Sequence, residues 1–233
     1  MRMRKNFATG AALAAAAAMA LTACGGTGTV DTGTQLNVGP AYTTTDYGPL
    51  TSSALAMGSN WQVLEGLYRL DRTDYSVTPA LASGDPVKVS DTEYEVTLRE
   101  GAKFSDGTDV TADDVVFAYT RAIEGFYKPM LDFLESVTKK DDKTVTIKTK
   151  FPFSLVAERI SLIKVVPASQ DLESVKSKPI GTGPYIMTSA VKSKAIEFEA
   201  NPHYNGKHPA KTPKMHWDIL VDDTARVTAM SSG

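Results

Sequence analysis

The chain has 233 residues, 42% hydrophobic and 22% charged, an ordinary composition for a soluble globular protein with room for one large domain or two small ones. The net charge is −2, and because Arg2, Arg4 and Lys5 open a stretch with no acidic residue, the remainder carries about −5. That mild acidity argues against a nucleic-acid binder, which needs a basic face, and the single cysteine excludes an internal disulfide.

Residues 1–23 read as a targeting segment: three basic residues, then an apolar run over residues 8–20 that is too short to span a bilayer. Leu21-Thr22-Ala23-Cys24 resembles the lipobox of bacterial lipoproteins. That resemblance implies cleavage before Cys24 and its lipid modification, which would hold the chain at the outer face of the cell membrane. An ordinary secreted protein with a chance cysteine is the other reading. Residues 24–34, rich in Gly and Thr, read as a flexible tether.

The folded part is expected to start with a strand at Gln35-Leu36-Asn37-Val38, followed by a polar, turn-rich stretch over residues 41–53. Trp61, Leu64, Leu67 and Tyr68 stand at helical spacing and predict a helix over about 54–69. Val87 and Val89, then Tyr94, Val96 and Leu98, alternate as two strands of a hairpin. Ser105-Asp106-Gly107 is a turn, and Thr111-Ala112-Asp113-Asp114 opens a helix whose apolar face is Val115, Val116, Tyr119 and Ile123. Residues 125–129 break that helix and residues 130–134 make a short helical turn. Val137, a charged tip at 139–143, Val145 and Ile147 form a second hairpin. Ser154 is expected to cap a helix over 155–160, residues 163–166 to form a strand, and Pro167 with Ser169 to start a helix reaching Val175. Gly181-Thr182-Gly183-Pro184-Tyr185 reads as a tight turn with close backbone approach at its glycines. It is not a phosphate loop, because no Lys-Ser/Thr follows and Pro184 lacks an N–H. Strands near 36–39, 184–190, 195–199 and 214–221 are expected to make the core sheet, and Asp222-Asp223-Thr224 to cap a last helix.

Several of these segments also match in wording. Leu98-Arg99-Glu100-Gly101, Phe104, Asp106-Gly107, the run Val110-Thr111-Ala112-Asp113-Asp114-Val115, and Phe117 with Tyr119 closely resemble the signature region of the family 5 extracellular solute-binding proteins. Glu65-Gly66-Leu67, Pro79-Ala80-Leu81-Ala82, Gly181 to Tyr185 and Asn201-Pro202-His203-Tyr204 resemble further segments of that family. Two departures stand out: Ser83-Gly84-Asp85-Pro86 where Ser-Trp is usual, and Asn205 where Trp is common. The resemblance implies an α/β, periplasmic-binding-protein-like fold of type II. Residues 35–233 would be lobe I, a mixed sheet plus a smaller subdomain at about 72–178, with the second lobe absent and the chain truncated at its C-terminus. It also implies substrate capture for an ABC importer, oligopeptides or dipeptides first. The same role for a nickel chelate, haem or a sugar stays open, as does a non-transport, lipid-anchored surface or chaperone-like protein. The implied partners are the solute, the permease subunits and the membrane. Nucleic acid is not among them, and the protein is expected to be a monomer without a cofactor.

No enzyme signature is readable. Asp113 and Asp114 are explained by helix capping, and the spacings of His203, His208 and His216 fit no metal pattern. For ligand binding the resemblance points to residues 42–54 and to the neighbourhood of 127–130. Tyr42, Thr43, Thr44, Thr45, Ser52, Ser53, Ala54 and Met130 are therefore the candidates. Their hydroxyls suit main-chain recognition of an extended peptide, and equally an ordinary polar loop. With the amino terminus and most side-chain pockets of a peptide met by lobe II, residues 25–233 alone are expected to bind short peptides weakly or not at all.

Overall fold

The computed structural model describes residues 34–50 and 61–232, so Cys24, Ser52, Ser53 and Ala54 lie outside the described residues. In chain order the strands are β1 (Gln35–Val38), β2 (Tyr68–Leu70), β3 (Val77–Pro79), β4 (Val87–Ser90), β5 (Glu93–Thr97), β6 (Leu134–Lys139), β7 (Thr144–Thr149), β8 (Tyr185–Val191), β9 (Ala195–Ala200) and β10 (Lys214–Asp218). The helices that lie wholly within the described residues are α1 (Ala112–Glu124), α2 (Val156–Ile160), α3 (Leu172–Ser177) and α4 (Asp223–Ser232).

The first sheet has the order β1-β10-β9-β8. β8, β9 and β10 form an antiparallel meander, and β1 joins its open edge in parallel, Gln35 opposite Lys214 and Val38 opposite Trp217. Alternation decides which face is inside. Tyr185, Met187, Ile196, Phe198, Met215 and Trp217 are buried together against Tyr47, Val63, Leu64, Val166 and Val175. On the other face Glu197 and His216 sit opposite one another.

The second sheet, β4-β5-β7-β6, is antiparallel throughout and lies within residues 87–149. Helix α1 covers it. Val115, Ala118, Tyr119 and Ala122 share a buried cluster with Val96, Val137, Val145 and Ile147. Each side chain of Val or Tyr size so buried stabilises by roughly 1.5–3 kcal/mol. The start of α1 is fixed by Asp114, which is buried. Its Oδ2 accepts from the Thr111 N–H (2.9 Å) and hydroxyl (2.8 Å), and its Oδ1 accepts from the Ala168 N–H (2.8 Å). One carboxylate thus caps the helix and fastens it to a segment 54 residues away. At the far side of the helix the Tyr119 hydroxyl donates to the Ile160 carbonyl (3.0 Å), and burial holds its pKa well above the ordinary phenol value. A short β2–β3 hairpin completes the described strands. No helix among the described residues is long and apolar enough to cross a membrane.

Five expectations from the sequence are corrected. The helix expected to reach residue 69 ends at Val63, and Tyr68 and Arg69 lie in β2. Gly66 brings the backbone too near Ile163 for a helix to continue, and the Gly66 and Leu67 carbonyls accept from Leu81, Ala80 and Ala82. Residues 163–166 form no strand; they are a largely apolar run in which the Val165 N–H donates to the Glu65 carbonyl (2.9 Å) and the Ile163 N–H to the Ile160 carbonyl (3.1 Å). The helix expected from Pro167 starts at Leu172, because Asp171 supplies the cap, accepting from the Glu173 (2.9 Å) and Ser174 (3.2 Å) N–H groups. Residue 155, without a side-chain bond, stands at the N-cap of α2, so Ser154 does not cap it. Between α1 and β6 the helical structure is one 3-10 turn at Lys128–Met130, and Leu134 already opens β6.

Candidate functional site

Five motif segments meet at one junction. Gly181 and Gly183 lie against the chain at residues 62–63: a Cβ on Gly181 would stand 2.0 Å from the Val63 carbonyl oxygen, and one on Gly183 2.5 Å from that of Gln62. The Gly183 N–H donates to the Val63 carbonyl (2.8 Å), and the Asn201 side-chain amide donates to the Gly183 carbonyl (2.8 Å). Gly66 sits under the Ile163 carbonyl, 2.2 Å from where its Cβ would be. These are positions where only a hydrogen fits, which explains the glycines in physical terms.

Arg99 fastens the junction. Its Nη2 donates to Glu65 Oε2 (2.9 Å), its Nε to Asn205 Oδ1 (3.0 Å), and its Nη1 to the Ala80 carbonyl. Both side chains of the Arg99–Glu65 pair are largely buried. Tyr204 donates to the other Glu65 oxygen (3.4 Å), and its ring lies 6.0 Å below the guanidinium. Burial, then the Glu65 charge, raises the Tyr204 pKa. Asn205, where tryptophan is common in the family, spans the gap with its amide, which donates to the Glu100 carbonyl (3.0 Å).

Beside this junction opens a cleft of about 880 Å³. Its walls include Trp61, Tyr127, Met130 and Tyr204, and its charged groups include Glu65, Arg69, Arg72 and Lys164. The Arg72 guanidinium stacks over the Trp61 ring at 4.3 Å, and Phe126 meets Tyr127 edge to face at 5.2 Å. Burial raises the Tyr127 phenol. Lys164 is lowered to about 8: burial does most of this, Arg69 and Arg72 add to it, and Glu65 opposes it.

Of the candidates named from the sequence, Met130 stands on the cleft wall. Tyr42, Thr43, Thr44 and Thr45 lie on the connection after β1 and do not line it. Tyr42 is exposed, and the Thr44 hydroxyl folds into a local turn with Asp46 (3.1 Å). Glu65, Arg69, Arg72 and Lys164 were missed. Lys164 is hidden in an apolar run, Arg69 falls at the end of the segment read as helix, and Arg72 follows it. The three histidines part company: His208 lines the cleft, His216 Nδ1 bonds Glu197 Oε1 (2.7 Å), and His203 packs near Gly107. Among the described residues no group of three His, Cys, Asp or Glu could hold a metal ion. Asp113 pairs with Lys139 (2.8 Å), so the two adjacent carboxylates of α1 face different partners.

A mixed sheet whose first strand returns beside β10, flanked by an antiparallel sheet and opening on a cleft, is one lobe of a type II periplasmic binding protein. The oligopeptide-binding protein AppA of Bacillus subtilis, solved with a nonapeptide, superposes with a TM-score of 0.76 at 23% identity over 85% of this chain and 42% of that one. The ABC transporter substrate-binding protein CtaP of Listeria monocytogenes superposes with a TM-score of 0.75 at 22% identity, covering 86% and 43%. In sequence, protein XP55 of Streptomyces lividans is 34% identical over 186 residues, 75% of this chain and 33% of that protein. Residues 76–233 match the bacterial extracellular solute-binding proteins, family 5 Middle, and the chain belongs to that family. It spans about a third of the length of XP55.

Proposed function

We propose that this chain captures oligopeptides or dipeptides outside the cytoplasm and delivers them to the permease of an ABC importer, without catalysing a reaction. The observation that carries this is the cleft. At about 880 Å³ it lies toward the upper end of small-ligand sites, suits an extended ligand of a few residues, and is walled by aromatic rings beside charged groups. AppA, of the same fold, holds a nonapeptide. Met130 and Tyr127 would contact the ligand from this side. Residues 42–54 would add main-chain and hydroxyl contacts as a second lobe closes over the solute. A lipid on Cys24 would keep a monomeric receptor within reach of its permease.

The test is uptake by the host cell. Deleting the gene is expected to abolish import of at least one labelled di- to pentapeptide from a mixed panel, with restoration by the intact gene. Unchanged uptake of every peptide overturns the peptide reading. Loss of nickel, haem or sugar uptake in its place would identify the solute class.

A further inference from the structure

Three cationic side chains share one region of the cleft: Lys164, Arg69 and Arg72. Glu65 lies within electrostatic reach of Lys164, as do both arginines. Glu65 is already engaged, because one of its oxygens takes the Arg99 guanidinium and the other takes the Tyr204 hydroxyl. Asp71, also on the cleft wall, turns its Oδ1 to the Thr73 N–H (2.8 Å) and hydroxyl (2.6 Å). Lys164 makes one long hydrogen bond, to the Ser161 carbonyl (3.3 Å), and among the described residues no carboxylate lies within ion-pair distance of it, of Arg69 or of Arg72, although the Asp71 charge reaches Arg69. Lys211 and His208 also line the cleft, and His208 lies within electrostatic reach of Asp71.

A lysine drawn out of water without an acid partner is costly unless something answers its charge. Here burial depresses the ammonium, and two further cations face it. Such an arrangement stores unfavourable free energy that an arriving anion releases, since it would gain three charge-assisted contacts in a partly dehydrated site. On the reading that this cleft captures solute, we propose that Lys164, with Arg69 and Arg72, takes a negatively charged group of the ligand, a carboxylate first of all. Trp61, stacked under Arg72, lies at the edge of that subsite and reports its occupation.

The experiment is a nuclear magnetic resonance titration of the full chain, following the Trp61 indole and neighbouring amide signals, with three titrants: trialanine, trialanine amide and citrate. Trialanine and citrate are expected to shift Trp61, and trialanine amide to bind about tenfold or more weakly than the acid. Lys164→Met is expected to erase the preference for the acid over the amide. Arg72→Gln, an exposed position that the fold tolerates, is expected to reduce it. Raising the pH from 7 to 9 is expected to weaken citrate binding to the wild type more than to Lys164→Met. If citrate binds with this dependence and neither peptide does, the anion subsite stands, and peptide capture is decided separately by the uptake assay. If acid and amide bind equally, in wild type and variant alike, peptide capture stands and the subsite is refuted. Failure of both anionic titrants to shift Trp61 also refutes it.

Discussion

Removing the charge from Glu65 tests whether the motif junction is held by its ion pair. Glu65→Gln preserves shape, and Arg99 keeps the Ala80 carbonyl and the Asn205 oxygen. What is lost is one charge-assisted bond of 2.9 Å between side chains only 13% and 12% exposed. A bond of that kind contributes about 1.5–3 kcal/mol, so a loss of about 2 kcal/mol is expected. Arg99→Met is harsher. It abandons three acceptors and leaves the Glu65 carboxylate with only the 3.4 Å contact from Tyr204. Breaking one side of a buried pair costs about 3–5 kcal/mol. Because both variants delete the same interaction, the double variant is expected to fall short of their sum by about 2 kcal/mol. Urea denaturation followed by circular dichroism measures this, provided the denaturant slope is unchanged. A coupling below about 0.5 kcal/mol, the range of a surface pair, would refute the reasoning.

Further perturbations separate backbone contact, capping and burial. Gly66→Ala and Gly181→Ala place a methyl about 2 Å from backbone oxygens and are expected to lower the melting temperature steeply or prevent folding, whereas Gly84→Ala, with open space around it, is expected to leave it nearly unchanged. Asp114→Ala removes the cap of α1 and the tie to Ala168 and is expected to cost about 2–3 kcal/mol by chemical denaturation. Lys164 titrates at about 8 in the folded chain, below the roughly 10.4 of an unfolded lysine. The unfolded chain therefore holds the proton longer, so the penalty is full below pH 8 and is relieved as pH rises toward 10.4. The melting temperature of the wild type is expected to gain on that of Lys164→Met between pH 7 and 9.5, and a constant difference would contradict this.

Local alternation made β9 and β10 legible in the sequence, because Ile196 and Phe198, and Met215 and Trp217, stand at every second position and are buried, while β8 was marked by the turn at 181–185 that leads into it. The hairpins of the second sheet were equally plain. The stretch 61–70 was not. Leu64, Leu67 and Tyr68 are buried, so their spacing fits a helix, and only the close approach of Gly66 to Ile163 shows that the chain has straightened. Residues 163–166 misled for a related reason: an apolar run signals burial without saying whether a ladder partner exists. The motif segments disclosed the family by their wording, and the structure uses them in the close backbone approaches of Gly66, Gly181 and Gly183 and in the Arg99 bonds. The cleft cations belong to no motif, so the groups best placed to choose a ligand were the least visible.

The parallel pairing of β1 with β10 joins residues 179 positions apart, Gln35 opposite Lys214. β8, β9 and β10 need only short turns to find one another, whereas β1 must close almost the whole length of the chain, and loop closure of that span is slow. The meander is therefore expected to gain protection from hydrogen exchange first and β1 last, which pulse labelling during refolding would register. Until β1 arrives, the β10 edge is an open template for any extended chain. Among the described strands the first to leave a ribosome is thus the last to be placed, and for this sheet the order of synthesis runs opposite to the order of assembly.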